Sequence, residues 1–425
     1  MSKASQVPLP ASLGEPDRPH TPPPAHTLVH VFTVAGSLDF LRGQVGFLGG
    51  QGFAVHVVAS PEGDALGQFA AAEGALAHEI LMTRAMTPLS DIRSLFRIWR
   101  LLGRLSPDIV HAGTPKGGFL GIVAAFAHQV PVRIYHMHGI KALTARGWRR
   151  IVLMTTEWLT CRLATRVLCV GESTRATAVA AGLCSADRVV VLGAGSCNGV
   201  DARTRFDPDR IGDDERHALR RALDIPLGCP VVGFVGRVVR DKGIVELAAA
   251  WETLAAEIPD LHLLMVGPVE GGDPVPEAIL NRLRHHRRVR FVSGVKDPVP
   301  YYALMDVVTL PSHREGLPNV PLEAAAMRLP VVATAVTGCI DAVVDGETGT
   351  LVPPGSTQGL AAAIRAYLAS PDLRRRHGEN GRERVMRDFV PQAMWQRVRD
   401  LYSSELDRIS VSSLAHQPGA GPMRD

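Results

Sequence analysis

Two rhythms of apolar and polar residues alternate along this chain. One is a short apolar run bounded by glycine, proline or small polar residues, such as Leu28-Val29-His30-Val31-Phe32-Thr33-Val34 or Val307-Val308-Thr309-Leu310. Such runs read as strands buried on both faces. They predict strands over 28–34, 54–58, 77–81, 108–111, 132–135, 166–170 and 188–192, and again over 231–235, 261–266, 289–292, 307–310, 331–334 and 350–352. The other rhythm is helical and fills most of the gaps. It predicts a helix beginning near Leu38, one over 91–105, a long one within 146–166 and one over 391–408. Alternation of the two implies mostly parallel sheets covered by helices on both faces.

Within 91–105, Ile92, Leu95, Phe96, Trp99, Leu102 and Leu105 form one stripe, and Arg93, Arg97, Arg100 and Arg104 lie mainly on another. The expectation is an apolar stripe packed inward on the sheet, with the arginines toward solvent or anionic lipid headgroups.

The stretch Pro311-Ser312-His313-Arg314-Glu315-Gly316-Leu317-Pro318-Asn319-Val320-Pro321-Leu322-Glu323 joins an apolar run to Ala324-Ala325-Ala326-Met327, which reads as helix. Pro321 is tolerable only in a first helical turn, where N–H groups lack intrahelical partners, so the helix is predicted to begin within 318–320. Glu315 then lies on the loop and Glu323 near the positive end of the helix. Free N–H groups at a helix start attract anions, and open α/β sheets bind ligands at this carboxyl edge. Upstream, Val231 to Gly243 repeats the strand, turn and helix pattern with two cations, Arg237 and Lys242, on the turn. Gly233-x2-Gly236 is not the Gly-x-Gly-x2-Gly of a dinucleotide dehydrogenase.

In the first half, Ala35-Gly36-Ser37 follows a strand, and Gly36 lets a ligand approach the backbone. His111-Ala112-Gly113-Thr114-Pro115-Lys116 leads from strand to helix without a P-loop's Gly-Lys-Ser/Thr. Lys116 there could hold a phosphate or simply cap the loop in solvent. His136 and His138, two apart on a strand, share a face and could be half a metal site. No third ligand is evident nearby, so no metal is expected, and His136 reads better as a hydrogen-bonded core residue.

Glu315-x7-Glu323, with Glu-Gly-Leu-Pro-Asn inside it and Pro330-Val331-Val332-Ala333-Thr334 after it, resembles the donor-binding motif of family-four retaining glycosyltransferases. The Thr-Pro-Lys segment resembles the capsular and exopolysaccharide members, where His-x-His-Thr-Pro-Lys is usual; here the second histidine is Gly113. The resemblance implies the GT-B fold: α/β, with two Rossmann-like domains facing across a cleft. It implies that Arg237 and Lys242 hold the nucleotide diphosphate, with Gly36, Gly316, Leu317, Pro318, Asn319, Val320 and Glu323 around the donor. His138, which precedes a glycine, would face the transferred sugar beside Glu315. Lys116, Arg146, Arg149 and Arg150 would meet an acceptor, often polyprenyl-diphosphate-linked in such enzymes. Retention of configuration and independence from metals or other cofactors come with the family. A sugar-nucleotide epimerase or hydrolase on the same fold, or a non-catalytic partner subunit that binds a nucleotide sugar, are the rival readings.

Length and composition narrow the picture. A chain of 425 residues accommodates two ordinary domains. The expected division is a Pro-rich disordered tail over 1–26, an acceptor-side domain over 27–205, a nucleotide-sugar domain over 206–390, a helix crossing back over 391–409, and a disordered tail over 410–425. Segment 84–166 holds thirteen Lys or Arg against Asp91, Asp108 and Glu157, a local +10 within a chain of net +4 that leaves −6 elsewhere. A basic patch confined to one domain points to an anionic surface or substrate; no nucleic-acid motif accompanies it. Six scattered cysteines without Cys-x2-Cys suggest reduced thiols. With no apolar run of membrane-span length and no apolar signal core, the expectation is a cytoplasmic protein peripherally attached to the inner face of the membrane.

Overall fold

The computed structural model describes residues 25–295 and 297–415, with no side-chain detail beyond 411. Thirteen strands form two sheets among the described residues. The first holds β1 (His26–Val34), β2 (Phe53–Ser60), β3 (Leu76–Glu79), β4 (Ile109–Gly113), β5 (Val132–Met137), β6 (Arg166–Cys169) and β7 (Val189–Val191). The second holds β8 (Val231–Val235), β9 (His262–Val266), β10 (Val289–Val292), β11 (Val307–Leu310), β12 (Val331–Thr334) and β13 (Gly349–Val352). Their orders are β3-β2-β1-β4-β5-β6-β7 and β10-β9-β8-β11-β12-β13, and all the strand pairs are parallel. Each order reverses once, at β1/β4 and at β8/β11. Such a switch point opens a crevice at the carboxyl ends of the strands, where doubly wound sheets take their ligands.

The first domain's helices are α1 (Gln44–Gly50), α2 (Ala65–Glu73), α3 (Pro88–Leu105), α4 (Pro115–Ala127), α5 (Gly147–Leu163) and α6 (Glu172–Ala180). The second's are α7 (Asp213–Ala222), α8 (Ile244–Glu257), α9 (Glu277–His285), α10 (Val299–Tyr302), α11 (Asn319–Ala326), α12 (Cys339–Ala342), α13 (Thr357–Ala369) and α14 (Pro371–Asp388); α15 (Pro391–Ala415) follows. Val398 and Tyr402 of α15 are buried in the first domain's core with Leu28, Leu38 and Ile134. Phe206 and Val200 are buried in the second core, so the linking segment joins that core before the second sheet begins.

Four expectations need correction. Strand β1 starts at His26, ahead of 28, and Ala25 N–H donates to the Gly52 carbonyl at 2.9 Å, so the expected tail is shorter than 1–26; residues 1–24 lie outside the described residues. The helix expected from Leu38 is a 3-10 turn (Ala35–Leu41) and then α1, separated at Gly43, whose φ of 76° breaks the helical backbone; the Trp395 ring, 2.6 Å from a would-be Cβ, leaves room there only for glycine. Helix α15 runs through Ile409 to Ala415, so no tail begins at 410; residues 416–425 lie outside the described residues.

The fourth concerns α3, which buries only part of the expected stripe: Leu102 is buried and Leu95 and Leu105 pack against the core, with the four arginines exposed as expected, but the rest of the stripe faces outward. Its buried residues are Ser94, Ile98, Leu101 and Leu102, while Ile92, Phe96 and Trp99 are 64%, 54% and 41% exposed. Ser94 can face inward because its hydroxyl donates to the Leu81 carbonyl at 2.6 Å. The helix thus has a second apolar face, and that face lies outside. With Val123, Ala124 and Ala127 of α4 it lines a groove of about 290 Å³.

Candidate active site

Glycine brings the carboxyl edges of the two sheets together. A Cβ on Gly316 would overlap the His138 carbonyl, so only glycine lets the loop after β11 lie against the end of β5. Other groups bridge the cleft. Thr174 Oγ1 donates to the Gly316 carbonyl at 3.0 Å, and Arg314 Nε donates to Thr144 Oγ1 at 3.1 Å. Asp341 accepts from Ser173 N–H and Oγ, the latter at 2.6 Å, at the start of α6.

On the second domain's side, Lys242 Nζ pairs with Glu315 Oε1, and both side chains are largely enclosed, 19% and 10% exposed. Ser312, fully buried, donates to the same oxygen at 2.6 Å. The carboxylate is therefore held by two donors before any substrate arrives. Arg237 stands at the rim, 49% exposed, and is paired with Glu270 at 2.9 Å; Glu270 also reaches Arg84 of the first domain at 3.8 Å. Helix α11 begins at Asn319 with Pro318 as N-cap, inside the predicted window. Glu323 is one turn further on and accepts from the Tyr302 hydroxyl at 2.8 Å. Desolvation raises its pKa, against the lowering effects of that bond and of Arg205. Leu317 differs from the donor-contact expectation: it is buried, with Cδ1 packed toward Gly171 and Gly195, and so belongs to the domain contact. Asn319 Oδ1 is enclosed without a partner among the described residues, an acceptor at the helix start.

On the first domain's side, His138 stacks on Phe40 with centroids 5.1 Å apart, and its Nδ1 lies 3.1 Å from Cys197 Sγ. Burial lowers its pKa to about 4, so the ring is neutral near pH 7, and Nε2 is enclosed without a partner among the described residues. A Cβ at Gly113 would meet Phe32 Cε1 at 2.5 Å and His138 Nε2 at 2.9 Å. The space that a side chain at 113 needs is filled by Phe32. Behind His138, His136 Nδ1 is 3.2 Å from His111 Nε2, and His111 Nδ1 is 2.5 Å from the Tyr402 hydroxyl. His136 is thus a hydrogen-bonded core residue. Its environment does contain the third metal-type ligand that the local sequence lacks: ligand atoms of His136, His138 and Cys197 all lie within 4.8 Å of one another.

Lys116 does not reach the cleft freely. Its ammonium bonds Asp91 Oδ1 at 2.6 Å, Thr87 Oγ1 at 3.2 Å and the Ala85 carbonyl, so its three donors anchor the loop ahead of α3. Gly36 N–H likewise is taken by Glu62 Oε2 at 2.8 Å. Arg146, Arg149 and Arg150 are exposed at the start of α5, beside Trp148 and Ile151 at 65% and 68% exposure. Ser312, Tyr302, Cys197 and Asp341 have no role in the sequence expectations. Only Ser312 carried a local signal, its place between Pro311 and the loop.

Residues 38–195 match the family model described as glycosyl transferase 4-like domain, and residues 229–370 match that described as glycosyl transferases group 1. The chain is 34% identical over 380 residues to the capsular polysaccharide biosynthesis glycosyltransferase CapM of Staphylococcus aureus, covering 89% of this chain and 97% of that one. It is 29% identical over 302 residues to the alpha-maltose-1-phosphate synthase of Mycolicibacterium smegmatis, covering 66% and 75%. Among solved structures, HepE of Anabaena in complex with UDP and glucose superposes with a TM-score of 0.73 at 20% identity, over 89% of this chain and 99% of that one. A glycosyltransferase from Rickettsia africae gives 0.72 at 18% identity, over 90% and 98%. These structural likenesses establish the two-domain GT-B architecture.

Proposed function

We propose a reaction for this chain from one premise: it belongs to the group 1 glycosyltransferases, and its enzymatic class is transferase. The reading is transfer of a sugar from a nucleotide-diphosphate sugar, UDP-linked in the first instance, to a polyprenyl-diphosphate-linked precursor of a cell-surface polysaccharide. The Anabaena complexes with UDP and UDP-glucose support the donor class, and the capsular transferase of S. aureus supports the product class. The observation that carries the reading is the close backbone contact of Gly316 with the His138 carbonyl, which sets the loop carrying the Lys242-paired Glu315 against the end of β5.

Arg237, Lys242 and the N–H groups opening α11 attract the diphosphate and stabilise the charge that grows on it as its bond to the anomeric carbon breaks. Glu315 faces the sugar and offsets positive charge developing on the ring. Glu323 accepts from the ribose hydroxyls, and the free Nε2 of His138 takes a sugar hydroxyl. The acceptor oxygen attacks from the face that the phosphate leaves, forming the new glycosidic bond as the old one breaks, with its proton passing to the departing phosphate oxygen. Configuration is retained without a carboxylate pair straddling the anomeric carbon. Two side-chain cations serve the diphosphate in place of a divalent metal.

Among the described residues no helix is long and apolar enough to cross a membrane. The exposed face of α3, with Phe96 and Trp99 among Arg93, Arg97 and Arg100, and that of α5, with Trp148 and Ile151 among Arg146, Arg149 and Arg150, set the first domain against anionic lipid on the cytoplasmic side.

Donor consumption and glycan product, measured with and without lipid-linked acceptor after exhaustive chelation, test the reading. Acceptor-dependent product at an undiminished rate is expected. Donor hydrolysis or epimerisation indifferent to acceptor overturns transfer, and binding without turnover marks a partner subunit. Activity lost on chelation and restored by magnesium or manganese overturns the metal-free mechanism.

A further inference from the structure

We propose that His136, His138 and Cys197 form a binding site for a thiophilic divalent cation, zinc by chemistry, and that zinc bound there blocks transfer by capturing the His138 imidazole. The two histidines alternate along one face at the end of β5, and the cysteine arrives from the segment after β7. One ligand atom from each lies within 4.8 Å of the others, compatible after small adjustment with bonds of roughly 2.0 to 2.3 Å to a shared ion. Two imidazoles and a thiol suit zinc and not the hard cations magnesium or calcium.

The free atoms point the same way. Among the described residues His136 Nε2 is enclosed without a hydrogen-bond partner, and nothing in the transfer reaction uses it. Cys197 Sγ lies 3.1 Å from His138 Nδ1, so Nδ1 is the atom His138 would give the ion; Nε2 then keeps the ring proton and can no longer accept from a sugar hydroxyl. The opposite nitrogen of His136 is held by His111, which is held in turn by Tyr402. That chain orients the ring with Nε2 as the ligand, the support that metal-binding histidines have from groups behind them. On binding, the Cys197 S–H bond gives way to a sulfur–zinc bond and the proton passes to solvent; no electron is exchanged. The site itself rests on the geometry alone, and only its inhibitory effect rests on the transferase reading.

The full-length protein, stripped by chelation, is titrated with Co²⁺ and then with Zn²⁺. One equivalent of Co²⁺ should produce a thiolate-to-cobalt charge-transfer band that Zn²⁺ abolishes. Cys197→Ser should remove the band and weaken zinc binding at least about tenfold, and His136→Asn should weaken it comparably. Zinc should stop transfer by the wild type at concentrations that leave Cys197→Ser, relative to its own zinc-free rate, at least about tenfold less inhibited. Absence of the band in the wild type, or its persistence in Cys197→Ser, overturns the site. Should the variant misfold, zinc protection of Cys197 against alkylation in the wild type, read on the peptide by mass spectrometry, decides: protection supports the site and unhindered labelling refutes it. Cobalt absorption and alkylation need no sugar substrate, so they stand or fall separately from the transferase reading.

Discussion

Replacing Glu157 by glutamine should stabilise this protein by an amount that grows with pH. Glu157 lies on α5 with 7% of its surface exposed, and its Oε1 accepts from the Tyr135 hydroxyl at 2.5 Å. Burial pushes its pKa from 4.5 to about 7, outweighing the opposing effects of the Tyr135 bond and of Lys141. The folded state therefore holds this proton more tightly than the unfolded chain does. The stability linked to it is fully present below 4.5 and is lost as pH rises through about 7. At ~1.4 kcal/mol per pKa unit the loss reaches about 3 kcal/mol at pH 8 and stays near 1 kcal/mol at pH 5. A glutamine keeps the acceptor for Tyr135 and cannot ionise, so the gain over wild type should grow by about 2 kcal/mol between those two pH values. Any constant offset from the new amide cancels in that difference. Urea unfolding of both proteins at pH 5 and pH 8, followed by a first-domain probe, measures it. A gain that is the same at both pH values, or one that shrinks toward pH 8, would refute the assignment of a buried, raised carboxyl.

Three further outcomes follow from the site. Glu315→Gln should lower kcat by about a hundredfold or more because its contact strengthens as charge develops, whereas Glu323→Gln should mainly raise donor KM, by about tenfold; near-normal kcat in folded Glu315→Gln would remove its catalytic role. Arg237→Ala should weaken nucleotide diphosphate binding by about tenfold in calorimetry, and unchanged affinity in a folded variant would return Arg237 to its surface pair with Glu270. The wild type should sediment with anionic vesicles at low salt and leave them at high salt, and Phe96→Ser with Trp99→Ser should weaken the attachment; equal, salt-insensitive binding to neutral vesicles would contradict the electrostatic part.

By itself the sequence determined what depends on neighbours in the chain. Apolar runs such as Val307-Val308-Thr309-Leu310 form strands because both faces are covered, and Pro321 sets the start of α11 because a proline fits only in a first turn. The motif Glu315-x7-Glu323 and the cations Arg237 and Lys242 were legible through their resemblance to the family's motifs, with Arg237, Lys242 and Glu315 in the connections after β8 and β11 and Glu323 in α11. Tertiary structure decided the rest. Whether α3 buries Phe96 and Trp99 or Ser94 and Ile98 depends on which groups the sheet, α4 and the Leu81 carbonyl present to it, and both faces share the helical period. Lys116 is spent on Asp91 and Ala85 because a loop 25 to 31 residues away folds onto it. The pairing of Lys242 with Glu315 spans 73 residues, and the approach of Cys197 to His138 spans 59. Such encounters leave no local pattern, because the chain between them is free to vary while each sheet sets the distance between the connections at its carboxyl edge.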